Sequence, residues 1–117
     1  MNIFPNNTQV YLALGSTDMR KSINTLSIVV QETMQLNPLS GHMFVFCNKN
    51  RSIIKILYWD KNGFCLWQKR LEKSKFFWPK KETDVYQTNF TSLRWLLDGL
   101  DINAVKGHMP LNYEIIY

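Results

Sequence analysis

The chain has 117 residues, an apolar fraction of 45% and a formal net charge of +5 at pH 7. This size predicts a single domain over residues 1–117. No apolar run approaches the roughly 18 residues of a membrane-spanning helix. The first residues lack the charged and apolar regions of a secretion signal, so we expect a cytoplasmic location without membrane contact. Cys47 and Cys65 form no CxxC pair, which favours reduced, buried thiols over a disulfide.

The first third of the chain predicts a strand followed by a helix. Residues 9–14 are typical of a short strand, and the following glycine turns the chain. We expect a helix to begin near Asp18, because the hydroxyl of Ser16 or Thr17 can accept a hydrogen bond from a free amide there. The helix should end at Leu36, before an Asn-Pro pair. Apolar residues recur every three or four positions and so lie on one face of this helix: Met19, Ile23, Leu26, Val30 and Met34.

The middle of the chain predicts an antiparallel meander of three strands joined by tight turns. The pair Asn62 and Gly63 is the strongest hairpin signal in the chain. Side chains point alternately to the two faces of the sheet along these strands, and neither face is cleanly polar. One face is therefore expected to pack on the first helix, and the other to mix basic and aromatic side chains. The expected strands are residues 43–47, 52–59 and 64–71.

A basic, aromatic connector at residues 72–81 leads to a short strand expected at 83–88. Asn89 or Thr91 should cap a second helix, with Gly99 near its end. Residues 113–117 suit either a last strand or a docked tail. The order strand, helix, strands, helix predicts an α+β fold, in which an antiparallel meander packs with about two helices. The apolar face of the second helix would carry Leu93, Leu96, Leu97 and Leu100.

Positive charge is concentrated in residues 49–81. This segment carries ten basic and two acidic residues, a net charge of +8, whereas the rest of the chain carries −3. Seven aromatic residues are interleaved with the basic ones. Such confinement favours a polyanionic partner, nucleic acid in particular, because Lys and Arg neutralise phosphates and release counterions. The alternative is a basic, solvated face on an ordinary aromatic core.

The candidate nucleic-acid-binding residues lie in this segment and at the expected helix start. At the helix start, free backbone amides would add to the side-chain charge in binding an anion, and the alternative there is surface salt bridging. The candidate basic residues are Arg20, Lys21, Lys49, Arg51, Lys55, Lys69, Arg70, Lys73 and Lys75.

Four aromatic residues are candidates for stacking on bases or for anchoring a protein interface. The alternative is that they pack in the core, where a tryptophan beneath a basic side chain would serve both roles through a cation–π contact. These residues are Trp59, Trp67, Phe76 and Trp78.

Catalysis is not expected from this composition. The carboxylates are scattered, and neither His42 nor His108 has partners at metal-ligand spacing. A phosphate-binding GxxxxGK[ST] loop is missing as well. We therefore expect no catalytic residue, no metal site and no cofactor.

Four ordered blocks, covering roughly residues 10–100, make the chain similar to one family. They are GSTDMRK at 15–21, SGHMFVF at 40–46, IKILYWD with GFCLW between 54 and 67, and KRLE with FFWP between 69 and 79. With these blocks the chain resembles the TnpB accessory proteins, the second-frame products of bacterial insertion sequences of the sixty-six type. The RNA-guided nuclease of the same name is a different protein. Ser22 and Ser74 stand where glycine is common in the family.

The resemblance implies an accessory role in DNA transposition beside a separate, larger transposase, and it leaves the molecular mechanism open. Together with the charge, it predicts a non-catalytic protein that binds DNA through residues 49–81. The alternative is a protein-interaction module that docks the transposase or another accessory subunit without binding DNA by itself. Steep salt dependence is expected of DNA binding and not of protein docking.

Overall fold

The computed structural model describes residues 7–104 of the chain. Within that range five strands form one sheet in the order β4-β3-β2-β1-β5. This arrangement of one sheet with helices confirms the predicted α+β fold. In chain order the elements are β1 (Val10–Ser16), α1 (Ile23–Glu32), β2 (Met43–Cys47), β3 (Ile53–Asp60), β4 (Gly63–Arg70), β5 (Val85–Thr88) and α2 (Phe90–Leu97).

The sheet is mixed, because β1 and β2 run parallel while every other neighbouring pair is antiparallel. Parallel pairing follows from the connection between them. A chain that crosses one face of a sheet as a helix returns in its original direction, whereas a tight turn reverses it. The predicted meander is present as β2, β3 and β4, and β1 and β5 extend it on the side of β2.

Both faces of the sheet are covered. Helix α1 packs over one face, where its buried Leu26 and Val30 meet Phe44 and Phe46 of β2 and Leu57 of β3. The connector and α2 cover the other face. All five residues of β2 are buried, as expected for a central strand enclosed on both sides. On the second face the connector and α2 contribute Phe76, Trp78, Leu93, Trp95 and Leu96.

Helix α1 begins later than predicted, at Ile23, and its N-cap is Ser22 rather than Ser16 or Thr17. The delay comes from Asp18, whose carboxylate accepts a hydrogen bond from the Arg20 amide at 2.9 Å. This local bond holds residues 18–21 as a separate turn. The helix ends at Glu32 instead of Leu36, and the backbone of Gln35 is left-handed with φ of 57°. For α2 the predicted cap Asn89 is confirmed.

The hairpin between β3 and β4 is present, with its turn in the predicted break between residues 59 and 64. Asp60 pairs with Gly63, so the two loop residues are Lys61 and Asn62, one position before the Asn-Gly pair. Lys61 takes the left-handed backbone conformation, with φ of 52°. The strand or docked tail proposed for residues 113–117 lies outside the described residues.

The cysteines follow the prediction in being free: Cys47 is buried and Cys65 is partly buried. Burial raises the pKa of the Cys47 thiol to about 12, so this thiol is neutral at physiological pH. Neither α1 nor α2 is long and apolar enough to cross a membrane.

Candidate nucleic-acid interface

The strand directions bring most of the basic residues to one end of the sheet. The parallel strands β1 and β2 both end there, β3 begins there, β4 ends there and β5 begins there. Three loops therefore meet at this end: residues 17–22, 48–52 and 71–84. We call this end the basic rim. Its exposed basic side chains are Arg20, Lys49, Arg51, Arg70, Lys73, Lys75, Lys80 and Lys81.

The turn between β2 and β3 presents Lys49 and Arg51 from a well-bonded backbone. The side-chain oxygen of Asn48 accepts hydrogen bonds from the amides of Ser52 and Ile53, at 2.9 and 3.0 Å. The Arg51 amide donates to the Asn48 carbonyl at 3.0 Å. Arg51 has a left-handed backbone with φ of 60°, which is uncommon for a residue that carries a Cβ. The exposed side chain of Arg51 is therefore carried by a backbone that hydrogen bonds hold in place.

Three long-range hydrogen bonds fasten the connector across the basic rim. The Leu71 amide donates to the Ser52 carbonyl and the Phe76 amide to the Arg51 carbonyl, both at 2.8 Å. The indole N–H of Trp78 donates to the Leu14 carbonyl at 3.1 Å in the buried interior. Because Phe76 and Trp78 both point into the core, the neighbouring side chains point to solvent. Lys75 and Phe77 are accordingly exposed.

Two of the predicted DNA-binding lysines are engaged within the protein. The ammonium group of Lys55 donates to the Met19 carbonyl at 2.6 Å. That of Lys69 donates to the carbonyl of Leu97, the last residue of α2, at 2.7 Å. Carbonyls at a helix end lack partners inside the helix, and a cation there also complements the helix dipole. Both lysines add positive potential near the basic rim while bonding the fold together.

Other candidates form exposed ion pairs. Arg20 contacts Asp18 at 2.7 Å, and Arg70 contacts Glu72 at 3.0 Å. Hydrogen bonds from Arg20 hold the pKa of Asp18 well below its usual range, and the same pairing raises that of Arg20. Exposed pairs of this kind add little stability, so a phosphate can compete for either arginine. Arg20 thus fits the salt-bridge alternative, and it lies in the turn before α1 instead of in the first turn of a helix.

The remaining cations of the rim have no carboxylate partner within residues 7–104. They are exposed and lie on two of the three loops, 48–52 and 71–84. Lys21, by contrast, is partly buried and lines a cleft with Lys81 and Asp84, which are 3.7 Å apart. The cations without a partner are Lys49, Arg51, Lys73, Lys75 and Lys80.

The four predicted aromatic residues occupy different environments. Trp59 is partly buried and packs against Phe64, with ring centroids 5.0 Å apart. Phe76 and Trp78 belong to the core. Trp67 on β4 is 43% exposed. The connector exposes a further ring, Phe77, that was not among the predicted residues and is 55% exposed.

Lys80 and Lys81 complete the basic rim; both lie in the predicted basic segment 49–81 but were not among the candidate binding residues. Lys81 lies alongside Gly15 at the end of β1, where a Cβ added to the glycine would be 3.6 Å from the lysine chain. The signal for Phe77 was present in the alternation of the connector: two core aromatics at 76 and 78 imply that residue 77 faces outward.

The hydrogen bond from Lys55 to the Met19 carbonyl should contribute to the stability of the fold. Lys55→Met keeps the aliphatic stem and removes the ammonium group, leaving the Met19 carbonyl without its partner. We expect the free energy of unfolding to fall by about 1–3 kcal/mol in a urea titration. Lys73→Met, at an exposed position with no such bond, should change it by about 0.5 kcal/mol or less. Equal stabilities of the two variants would contradict the assignment.

Fold and site together define a small α+β domain whose exposed basic residues lie mostly at one end of a mixed sheet. Within residues 7–104 no group of three or more histidine, cysteine or acidic side chains could hold a metal ion. The profile of the family described as IS66 Orf2-like protein matches residues 8–107, and the chain belongs to that family. This confirms the resemblance found in the sequence. Membership suggests an accessory role in transposition.

Two relatives come from Sinorhizobium fredii, and both are described as uncharacterized proteins. The first, y4hO, is 40% identical over 95 residues, which is 81% of this chain and 83% of that protein. The second, y4jC, is 30% identical over 98 residues, which is 84% of either chain. No solved structure matches this sequence.

Proposed function

We propose that this protein is a non-catalytic accessory factor of transposition that binds DNA through the basic rim. The observation that carries the proposal is the group of five exposed cations without carboxylate partners among the described residues, brought together by the loops 48–52 and 71–84. Such a surface attracts a polyanion over a distance and then neutralises individual phosphates. The family membership supports DNA as the polyanion, because transposition acts on DNA.

The architecture favours contacts to the DNA backbone over contacts to base edges. Both α1 and α2 cover faces of the sheet, and the basic rim is made of loops. The described part of the rim therefore contains no helix that could enter the major groove of DNA. Phosphate contacts position a protein on DNA without reporting its sequence. We expect binding that depends weakly on sequence and that brings a transposase and DNA together.

The salt dependence of binding tests the proposal. For duplex DNA, about five phosphate contacts give a slope of log K against log salt near −4 to −5. Each of Lys49→Gln, Lys73→Gln and Lys75→Gln should reduce the magnitude of that slope by about 1. The measurement is fluorescence anisotropy of a labelled element-end duplex and a scrambled duplex across a salt series.

Lys61→Gln is the matched control, because Lys61 is also exposed and lies in the β3–β4 turn at the opposite end of the sheet. It removes the same charge and should leave the slope unchanged. If Lys61→Gln weakens binding as much as the rim variants do, only net charge matters and the rim is not the site. If the protein fails to bind at low salt, the DNA-binding proposal is wrong.

A second function, docking of the transposase, is favoured by the exposed Trp67 on the edge strand β4. An edge strand offers free backbone groups, and tryptophan is a frequent interface anchor. Association of purified transposase with this protein should then persist at high salt and weaken in Trp67→Ala. The rim variants would leave that association unchanged, which separates the two functions.

A further inference from the structure

Two adjoining clefts open on the basic rim, one on either side of Arg51. The first, which we call the basic cleft, has a volume of about 260 Å³. The second, which we call the aromatic cleft, has a volume of about 470 Å³. Arg51, Leu14, Trp78 and Pro79 line both clefts and form the wall between them.

The basic cleft has the chemistry of a phosphate site. Lys49, Arg51 and Lys81 line it, and no carboxylate does. Ser16 borders the same space, and its hydroxyl can donate a further hydrogen bond. Arginine suits bidentate contact with phosphate oxygens, and lysine adds a compact charge. Of these three cations, Lys81 has the one carboxylate neighbour among the described residues, Asp84 at 3.7 Å.

The aromatic cleft has the chemistry of a base site. The exposed ring of Phe77 and the partly buried ring of Tyr86 line it, and either can stack on a planar base. The cleft also has polar lining residues, two of them carboxylates, that can form hydrogen bonds with a base: Lys80, Glu82, Thr83, Asp101 and Asn103. Its volume lies within the roughly 300–1,000 Å³ of small-molecule sites. A residue that reaches into both clefts, as Arg51 does, would bridge a base and its own phosphate.

We propose that the two clefts together take one unpaired nucleotide, with its phosphate in the basic cleft and its base in the aromatic cleft. The inference rests on the proposed DNA binding and adds a preference within it. Bases inside a duplex are paired and stacked, so they cannot enter the aromatic cleft without being extruded. The preferred ligand is therefore DNA that carries a single-stranded tail, as at a processed or frayed end.

Anisotropy with three related DNA probes tests this preference. The first is a blunt duplex, the second the same duplex with a short single-stranded tail, and the third carries a tail of equal length made of abasic sites. The abasic tail keeps the phosphates and removes the bases. We expect the base-bearing tail to bind roughly 5- to 150-fold more tightly than the abasic tail, the range that base–aromatic stacking supports. Tails of both polarities are measured.

Phe77→Ala should abolish the difference between the base-bearing and abasic tails, whereas Trp67→Ala, which removes another exposed aromatic ring, should preserve it. Thermal unfolding of both variants confirms that they remain folded. Equal affinity of the wild type for the two tails overturns the inference, as does an equal loss on all probes in Phe77→Ala. In those cases, an affinity for the blunt duplex that falls steeply with salt concentration still supports the proposed function. If none of the probes binds at low salt, the proposed function is wrong and the inference with it.

Discussion

Replacing Trp78 by alanine is expected to lower the free energy of unfolding by about 3–5 kcal/mol, a large part of the total stability of a small domain. Trp78 is only 7% exposed, and its indole N–H bonds the Leu14 carbonyl. The substitution removes the ring from the core and leaves that carbonyl without its side-chain partner. Denaturant unfolding followed by circular dichroism measures the effect.

Two variants of the connector separate the causes of this loss. Trp78→Phe keeps most of the buried area and loses the hydrogen bond, so we expect a cost of about 1–3 kcal/mol. Phe77→Ala removes an exposed ring from the adjacent position and should change stability by about 0.5 kcal/mol or less. A cost for Trp78→Ala near that of Phe77→Ala would show that the connector is not anchored in the core. DNA binding should also weaken in Trp78→Ala, because the connector carries four exposed lysines of the rim.

Replacing Arg51 by glycine is expected to weaken DNA binding about ten- to a hundredfold while leaving the protein as stable as before, or more stable. Arg51 stands without a carboxylate partner in the described chain, and a charged hydrogen bond to phosphate is worth about 1.5–3 kcal/mol. Its left-handed backbone costs a residue with a Cβ about 1–2 kcal/mol, which glycine avoids. Greater freedom of glycine in the unfolded chain offsets part of the gain, so stability should rise by about 0–1 kcal/mol.

Lys61→Gly is the matched control for that substitution. Lys61 is also exposed, basic and left-handed, and it lies in a tight turn at the other end of the sheet. It should show the same small change in unfolding free energy and no change in DNA affinity. Anisotropy and thermal unfolding of the two variants give both quantities. A similar loss of affinity in both would contradict a role for the turn at Arg51.

Local signals in the sequence predicted much of the fold. The boundaries of β2, at residues 43–47, were predicted correctly because the run is apolar throughout and flanked by polar turns. The start of α1 was wrong because Ser16, Thr17 and Ser22 are all good caps. The choice among them is made by Asp18, whose carboxylate bonds the chain into a turn first. The pairing of β1 with both β2 and β5 depends on contacts distant in sequence, which periodicity does not report.

For the candidate site, the concentration of positive charge predicted the segment, residues 49–81. The packing of the connector decides which side chains of that segment face solvent. Lys73 and Lys75 are exposed as expected, but the ammonium groups of Lys55 and Lys69 are bonded to carbonyls far away in the chain. Composition does not distinguish a lysine that bonds the fold together from one that is free to meet phosphate. The two clefts arise only when the ends of β1, β2 and the connector meet.

The long reach of the connector also affects the order in which this protein acquires its function during folding. Trp78 and Leu14 are 64 residues apart in the chain, and the bond between them forms only when the sheet has brought β1 into place. Domains dominated by such distant contacts fold slowly. We therefore expect the affinity for DNA to appear in the last kinetic phase of refolding, after the local β2–β4 meander. A chain that has just left the ribosome would then bind DNA only after β1 has joined the sheet and the connector has docked on it.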